Sequence, residues 1–411
     1  EMASIGVSPD RQTCFGPRGA ALMKPEGPLW VCDTGHHRLL GWKKLPVNDG
    51  TPADWVIGQK DFNSEGRNGK TEVSASSVNV PTGICACGDG MAVADAWNHR
   101  VLIWHKLPEN DNTPADIVLG QKDFIHNDAN HGTDDATASS MHWPYGVFWH
   151  EDHLFVADSE NRRVLVWQGI PTDNGQKADV VLGQHNFITR DENAGGEPGA
   201  MSMRWPHGIG IWDGHLCVSD AGNNRVMVWK AVPKVNGKDC DYVLGQSALD
   251  LVDHNQSLYW PRAYTLNMPY GLTVCNDWLL IADTASSRLV GWHVDDLETG
   301  ADARALTGQD NFHDKGDNRW KPPCADSLCW PYGIQSNGNV VAEQIRVTGI
   351  VQGVGFRPNV WRLANEHNLA GDVINDSKGV VINVWGVQNQ IDDFVNNLKK
   401  DVPPLARIDG I

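Results

Sequence analysis

The sequence predicts an all-β propeller followed by a small α+β domain. Two observations predict the propeller: side chains recur with a period of 62 or 63 residues, and each period contains four short apolar strands. A third observation predicts the second domain, because the repeat stops near residue 340 and apolar residues at helical spacing appear after it. We therefore expect a propeller over residues 1–340 and an α+β domain over residues 341–411.

The repeat consists of three motifs that stay in register. A tryptophan, a Gly-Gln pair and an Asp/Arg pair five residues apart occur once in every unit. Because five equivalent copies argue against catalysis, we interpret the Asp/Arg pairs as ion pairs that hold each blade together, and the tryptophans as core. The members are Trp42, Trp104, Trp167, Trp229 and Trp292; Gly58-Gln59, Gly120-Gln121, Gly183-Gln184, Gly245-Gln246 and Gly308-Gln309; and Asp33/Arg38, Asp95/Arg100, Asp158/Arg163, Asp220/Arg225 and Asp283/Arg288.

Alternating apolar and polar residues, with turn-forming residues between the runs, predict the strands of one unit. Residues 206–211, 216–220, 226–229 and 242–246 each read as a short strand, with Pro, Gly and Asn between them. Tandem four-stranded units favour a propeller because radial closure protects the edges of the sheets.

The repeat resembles the NHL family over about residues 15–340. The segment Asp95-Ala96-Trp97-Asn98-His99-Arg100-Val101-Leu102 and the preceding Pro-x-Gly pattern carry the resemblance. It implies six blades closed by both ends of the propeller, with Trp330–Ile334 and Ser4–Val7 contributing to the sixth; five blades is the alternative. It also implies a protein-binding platform.

Some NHL propellers are zinc lyases with metal ligands around the central channel, so histidines at channel positions are candidate zinc ligands. Here His207 stands where other units carry Tyr145, Tyr270 and Tyr332. Zinc requires three or four converging ligands, so we predict no metal and no cofactor. A propeller-channel metalloenzyme is kept as the third hypothesis.

The C-terminal segment alternates strands and helices in the ferredoxin-like order. Pro358 suits the first position of a helix. The expected elements are strands at 344–351, 371–375, 379–385 and 406–411 and helices at 359–368 and 391–400.

A glycine-containing turn between the first strand and the first helix is a candidate anion site. Unpaired backbone amides at a helix start converge on an anion, and an arginine adds a charged contact. An asparagine after the next strand can hold a water. The candidate residues are Gln352, Gly353, Val354, Gly355, Phe356 and Arg357 in the loop, with Arg357 and Asn375 as the catalytic pair. From the residues alone, a plain structural turn is the alternative.

The motifs 349–357 (Gly-x-Val-Gln-Gly-Val-Gly-Phe-Arg) and 375–381 (Asn-x-x-x-Gly-x-Val) resemble the acylphosphatase family. The resemblance implies that the loop amides and Arg357 bind phosphate and that Asn375 orients the attacking water. With Pro403-Pro404-Leu405-Ala406-Arg407-Ile408, the segment is similar to the N-terminal domain of HypF-type carbamoyltransferases of nickel–iron hydrogenase maturation. Those proteins continue with zinc motifs and nucleotide-using domains, and we expect a domain truncated in its last strand.

The charge and cysteine content narrow the partners. A net charge of -17 argues against nucleic-acid binding and anionic membranes, and no apolar run is long enough to span a membrane. Nine scattered cysteines without a CxxC pair favour free thiols and a cytoplasmic location.

The leading hypothesis is hydrolysis of carbamoyl phosphate or another acyl phosphate, with the propeller recruiting a hydrogenase-maturation protein. The alternative is a non-enzymatic propeller scaffold with an inert acylphosphatase-like adaptor.

Overall fold

The computed structural model describes residues 8–24, 27–46, 48–336, 341–367, 369–376, 378–386 and 388–411. The chain divides into two compact units between Gln335 and Ser336. Residues 337–340 lie outside the described residues, so the expected boundary at residue 340 stays a prediction. Within the described ranges, no helix has the length and apolar character needed to cross a bilayer.

The first unit contains five four-stranded antiparallel sheets within residues 8–336. In each sheet the strands neighbour one another in chain order, so every sheet is a meander. The predicted tandem four-stranded units are therefore confirmed. Sheet by sheet, the strands are β1 (Gly19–Leu22), β2 (Leu29–Asp33), β3 (Arg38–Trp42) and β4 (Trp55–Ile57); β5 (Pro81–Cys87), β6 (Gly90–Asp95), β7 (Arg100–Trp104) and β8 (Ile117–Leu119); β9 (Pro144–His150), β10 (His153–Asp158), β11 (Arg163–Gln168) and β12 (Val180–Leu182); β13 (Pro206–Trp212), β14 (His215–Asp220), β15 (Arg225–Trp229) and β16 (Tyr242–Leu244); β17 (Pro269–Cys275), β18 (Trp278–Asp283), β19 (Arg288–His293) and β20 (Ala305–Thr307).

Short 3-10 turns are the helical elements of this unit that the structure describes. One type joins the second and third strands of each sheet and ends in a residue with left-handed backbone angles. The other type lies in the long loops that follow the fourth strand of each sheet, except for Val294–Asp296, which lies between the third and fourth strands of the fifth sheet. The hairpin turns are Thr34–His36, Ala96–Asn98, Ser159–Asn161, Ala221–Asn223 and Thr284–Ser286; the loop turns are Arg67–Lys70, Ala129–Gly132, Glu192–Gly195, His254–Ser257, Val294–Asp296 and Asp317–Trp320.

A buried ion pair closes the hairpin in every sheet. Arg163 bonds Asp158 through Nε (2.8 Å), and its two Nη atoms donate to the carbonyl oxygens of Phe187, Thr137 and Ser140 at 2.6 to 3.0 Å. Each guanidinium thus attaches two long loops to its sheet, which confirms the structural interpretation of the pairs. The equivalent Nε–Oδ2 distances are 2.7 Å (Arg38–Asp33, Arg100–Asp95, Arg288–Asp283) and 3.1 Å (Arg225–Asp220).

The repeated tryptophans are core residues, as predicted. Trp104 is buried, and its indole Nε1 donates to the carbonyl oxygen of Thr113, nine residues later, at 3.0 Å. Trp42, Trp167, Trp229 and Trp292 repeat this bond. The indole therefore closes the turn into the fourth strand while its ring fills the core.

Glycines let the innermost strands of neighbouring sheets approach closely. A Cβ at Gly83 would lie 2.6 Å from the carbonyl oxygen of Tyr145, and one at Gly271 would lie 2.5 Å from that of Tyr332. A Cβ at Gly333 would lie 2.2 Å from the carbonyl oxygen of Arg18. The segment around Gly333 therefore lies between the fifth and first sheets, although it is not itself a strand. Residues 4–7 lie outside the described residues, and the sixth blade stays a prediction.

The second unit is a four-stranded antiparallel sheet with two helices packed on it. The sheet order is β22-β23-β21-β24, and its buried core includes Val347, Phe356, Val360, Ile382 and Phe394. The strand–helix–strand–strand–helix–strand order is the one read from the sequence. The elements are β21 (Val341–Ile350), α1 (Phe356–Glu366), β22 (Ala370–Asp376), β23 (Gly379–Gly386), α2 (Gln388–Lys400) and β24 (Arg407–Gly410).

The start of α1 differs from the sequence-based prediction. The helix begins at Phe356 with Gly355 as its N-cap, so Pro358 is the third helical residue and not the first. Proline is tolerated there because the first-turn amides have no acceptor within the helix. Apolar spacing alone missed this turn of helix, since Phe356 follows directly on the glycines.

Candidate active site

The loop between β21 and α1 has the backbone geometry of an anion nest. Gly353 (φ 73°) and Gly355 (φ 78°) are both left-handed, a conformation that other residues adopt at a cost. Among the described residues, no heavy atom beyond the adjacent residues lies within 4 Å of a Cβ built at either glycine, so the space over the loop is open. Both glycines are thus required by conformation and not by crowding.

The amides of this loop are available to a ligand. Within the described ranges, no backbone N–H from Val351 to Phe356 donates to a carbonyl oxygen or a side chain. These groups precede an eleven-residue helix, whose first amides lack partners within the helix. Alternating left-handed residues direct successive amides into one concavity, which suits a phosphate-sized anion.

The side chain of Gln352 joins the loop to the turn between β22 and β23. Its Nε2 donates to the carbonyl oxygens of Asp376 at 2.6 Å and Gly379 at 2.7 Å. Sequence reasoning placed Gln352 in the loop for its amide and missed this role of its side chain. In the sequence, the only indication of this role was that a long side chain ending in an amide stands among glycines.

Arg357 is the second residue of α1, and its side chain is exposed. Within the described ranges, no acidic side chain pairs with its guanidinium, whereas the three other arginines of this unit are paired. Arg346 bonds Asp376 (2.8 Å), Arg362 bonds Glu366 (2.6 Å) and Arg407 bonds Asp409 (2.8 Å). Arg357 is therefore the arginine of this unit that is available for an anion at the loop.

Asn375 lies near the end of β22, opposite Val380 of β23. Its side chain is half-buried, and its Oδ1 is buried without a hydrogen-bond partner among the described residues. Helix α1 packs against β22, so the elements that carry Arg357 and Asn375 are neighbours. An unsatisfied buried carbonyl oxygen is suited to accept a hydrogen bond from a water.

The turn beside Asn375 is held in place by charge. Two hydrogen bonds lower the pKa of Asp376 below its ordinary value. The bond from the Arg346 guanidinium has the larger effect, and the bond from the backbone amide of Lys378 has the smaller one. The ionised carboxylate thereby fixes the turn whose carbonyl oxygens receive Gln352. Thirty residues separate Arg346 from Asp376, and no local sequence pattern announces the pair.

The propeller presents a different environment at His207. This side chain is buried beside Tyr145 and Tyr270, with ring centroids 4.8 Å and 4.4 Å away. Burial lowers the pKa of His207 to about 3, so its imidazole is neutral at physiological pH. In the part of the chain that the structure describes, no group of three or more His, Cys, Asp or Glu side chains could hold a metal ion.

The comparisons with known proteins agree with the geometry of the loop. The acylphosphatase family model matches residues 343–411. An acylphosphatase of Mannheimia succiniciproducens is 44% identical over 73 residues, which cover 18% of this chain and 80% of that protein. The chain belongs to the acylphosphatase family. The acylphosphatase of Leuconostoc mesenteroides is 39% identical over 71 residues, which cover 17% of this chain and 79% of that protein.

Two further matches extend this assignment. Carbamoyltransferase HypF2 of Cupriavidus necator is 51% identical over 75 residues, which cover 18% of this chain. This matched segment spans about 9% of the length of that carbamoyltransferase. The NHL repeat model matches residues 203–229 within the first unit. The predicted combination of NHL repeats with an acylphosphatase domain similar to that of HypF is thus confirmed.

Proposed function

We propose that the acylphosphatase domain hydrolyses acyl phosphates, with carbamoyl phosphate as the leading substrate. One observation carries the proposal: at the start of α1, the loop amides and the Arg357 guanidinium have no protein partner among the described residues. An oxyanion there would receive several hydrogen bonds and one positive charge without any protein bond being broken. Preorganised donors of this kind supply much of the rate enhancement in phosphoryl transfer.

The proposed roles follow from the types of side chain. The amides of Gln352–Phe356 and the guanidinium of Arg357 bind the phosphoryl oxygens. Asn375 Oδ1 accepts a hydrogen bond from water and orients its lone pair toward phosphorus. The new bond joins the water oxygen to phosphorus, while the bond from phosphorus to the acyl oxygen breaks. The electron pair leaves with the carboxylate, or with carbamate when the substrate is carbamoyl phosphate, and the water proton passes to a phosphoryl oxygen.

A connection with nickel–iron hydrogenase maturation rests on the likeness to the HypF carbamoyltransferases. Within this proposal, the propeller recruits a hydrogenase-maturation protein and the acylphosphatase domain cleaves the acyl phosphate. The chain's acidity favours a basic surface on the partner. We propose that residues 1–340 form the propeller domain, that residues 341–411 form the acylphosphatase domain, and that the protein acts in the cytoplasm.

Phosphate release from carbamoyl phosphate and acetyl phosphate by the purified full chain tests the activity. We expect the wild type to release phosphate well above the spontaneous rate and Arg357→Ala to lose the activity. Arg362→Ala is the matched control, because Arg362 lies in the same helix and its guanidinium is occupied by Glu366 and Asp401. No release by folded wild-type protein, or equal loss in both variants, would contradict the proposal.

A non-enzymatic scaffold with an inert acylphosphatase-like adaptor is the second candidate, favoured by the repeated sheets and long loops of the first unit, which offer an extended surface to a partner. Retention of a maturation protein by both wild type and Arg357→Ala, with a folded but catalytically silent C-terminal domain, would support it.

A further inference from the structure

The apolar cores of the first unit lie between neighbouring sheets, with one exception. Four buried clusters each combine the facing sides of two consecutive sheets, from the first and second sheets to the fourth and fifth. Among the described residues, no cluster joins the fifth sheet to the first. The outer side of the first sheet instead forms a cluster of its own, made of Leu40, Trp42, Ala53, Val56 and Phe62. The ring of sheets is therefore interrupted between the fifth sheet and the first, at a place that we call the gap.

Side chains that border the gap are less buried than their equivalents elsewhere. On the fifth sheet, Leu280 and Leu289 are partly exposed and Thr307 is exposed; on the first sheet, Leu29 and Val31 are partly exposed. In the other four sheets, the side chain at each of these positions is 0% exposed. The described residues thus leave two sheet faces, most of whose side chains are apolar, only partly covered. For Leu289, the buried equivalents are Leu39, Val101, Val164 and Val226.

Residues 331–334 occupy the innermost position of the gap. The ring of Tyr332 stacks on that of Tyr270 at 4.2 Å, and Gly333 lies against the carbonyl oxygen of Arg18 in the first sheet. In the five complete sheets, the equivalent segment is a strand that pairs with a second strand of the same sheet. Among the described residues, no backbone group of Gly333 or Ile334 makes such a hydrogen bond. An unpaired backbone edge of this kind is a template for a further strand.

The Asp/Arg pair of a complete sheet also binds the loop that leads into that sheet. In the fifth sheet, Asp283 Oδ1 accepts from the backbone amide of Asn267 at 2.7 Å. Arg288 Nη2 donates to the carbonyl oxygens of Arg262 and Thr265 at 3.1 Å and 2.9 Å. One carboxylate and one guanidinium, both from the hairpin of the second and third strands, therefore hold three backbone groups of the loop.

The loop that leads into the gap has the same shape and lacks these partners. Ser327 Oγ accepts from the amide of Cys324 at 3.0 Å, just as Thr265 Oγ1 accepts from the amide of Arg262 at 2.9 Å. The three equivalent groups are the amide of Cys329 and the carbonyl oxygens of Cys324 and Ser327. Among the described residues, no carboxylate accepts from that amide and no guanidinium donates to those carbonyl oxygens. The loop is therefore shaped for an Asp/Arg hairpin that the described residues do not supply.

We propose that the gap binds a β-hairpin of a partner protein, with an aspartate at the end of its first strand and an arginine five residues later. The aspartate accepts from the amide of Cys329, and the arginine donates to the carbonyl oxygens of Cys324 and Ser327. The first strand of the hairpin pairs with residues 333–334, and its apolar side chains cover the two sheet faces.

The chemistry of the gap selects this occupant over two others. Residues 1–7 and 337–340 contain no arginine, so they cannot supply the hairpin. A second copy of the chain has no spare hairpin, because all five of its Asp/Arg pairs are buried within complete sheets. The net charge of -17 favours a partner segment that brings an arginine. The inference concerns the propeller and does not rest on the proposed acyl phosphate chemistry.

A fluorescein-labelled peptide with the sequence of residues 153–168, which contains the Asp158/Arg163 hairpin, tests the proposal against the full chain. We expect a saturable change in fluorescence anisotropy, with one peptide bound per chain and a dissociation constant of about 100 μM or tighter. The matched control is the same peptide with Arg163→Met, which should bind about tenfold more weakly or worse because two carbonyl oxygens stay unpaired. No saturable binding, or equal affinity of the two peptides, would overturn the proposal.

Hydrogen exchange of the complex locates the bound peptide. We expect the backbone amides of Cys329, Gly333 and Ile334 to exchange at least about tenfold more slowly, while those of the exposed loop 186–190 keep their rates. Slower exchange elsewhere, with none at these three residues, would contradict the location. Sedimentation of the chain alone provides the last comparison. A dimer that the peptide does not dissociate would assign the gap to a second copy and so overturn the choice of occupant.

Discussion

The side-chain amide of Gln352 donates a hydrogen bond of 2.6 Å to the carbonyl oxygen of Asp376, across the gap between the glycine loop and the β22–β23 turn. This bond fixes the distance between the loop that carries the free amides and the strand end that carries Asn375. Gln352 is therefore a positioning residue for the proposed reaction.

Gln352→Met keeps the length of the side chain and removes the donor. Because the loop then loses its attachment to the turn, we expect KM for acetyl phosphate to rise about tenfold. Steady-state kinetics measures this, and circular dichroism confirms the fold. An unchanged KM in a folded variant would show that the loop holds its shape without this bond.

Arg357→Ala and Asn375→Ala should have different kinetic effects. Loss of the guanidinium should abolish measurable binding of inorganic phosphate, whereas loss of the carboxamide should leave that binding intact and lower kcat on the order of a hundredfold. Phosphate titration and turnover measurements separate the two. If the variants have the same activity, the assigned roles are wrong.

Gly379→Ala should destabilise the acylphosphatase domain. Gly379 has φ 144°, and a Cβ there would lie 2.2 Å from the carbonyl oxygen of Val347 on the neighbouring strand. We expect a loss on the order of 2 kcal/mol or more, seen as faster hydrogen exchange in β23. Gly353→Ala is the comparison, since a Cβ there meets open space and only its φ is unfavourable. Equal exchange in the two variants would argue against crowding as the cause.

Arg163→Met should destabilise the propeller strongly. The substitution leaves the carboxylate of Asp158 buried without its partner and frees three carbonyl oxygens, so we expect a loss of about 3–5 kcal/mol. Urea unfolding followed by tryptophan fluorescence measures it. Arg304→Ala, which breaks an exposed pair with Asp296, should have little effect. A small effect of Arg163→Met would mean that the pair does not hold the blade.

His207 should make the propeller sensitive to acid. Its folded pKa of about 3 lies below the ordinary 6.5, so the unfolded chain binds a proton that the folded chain does not. As the pH falls from 6.5 toward 3, the free energy of unfolding should therefore decrease by about 1.4 kcal/mol for each pH unit. His207→Tyr, which installs the residue of the neighbouring units, should reduce this slope. Urea unfolding at pH 7 and pH 4.5 tests it; an unchanged slope would assign the acid sensitivity to other groups, such as His99, whose pKa burial lowers to about 4.

The repetitive and local features of this protein could be predicted from its sequence. The Asp/Arg pairs and the buried tryptophans recur five times at equal spacing. Because any role assigned to them had to hold for all five copies, a structural role was favoured over a catalytic one. The order of elements in the second unit also follows from local patterns of apolar residues. The start of α1 was missed, because Phe356 and Arg357 read equally well as the end of the glycine loop.

Part of the candidate site could likewise be predicted from the sequence, and part could not. The sequence alone determined the glycines, Arg357 and Asn375 as candidates, since each belongs to a short motif whose chemistry depends on local backbone. Only the tertiary structure decided that Gln352 and Arg346 support the turn beside Asn375, and that Arg357 has no acidic partner among the described residues. Such contacts join residues twenty or more positions apart, and their existence depends on which backbone atoms the folded chain brings within hydrogen-bonding distance.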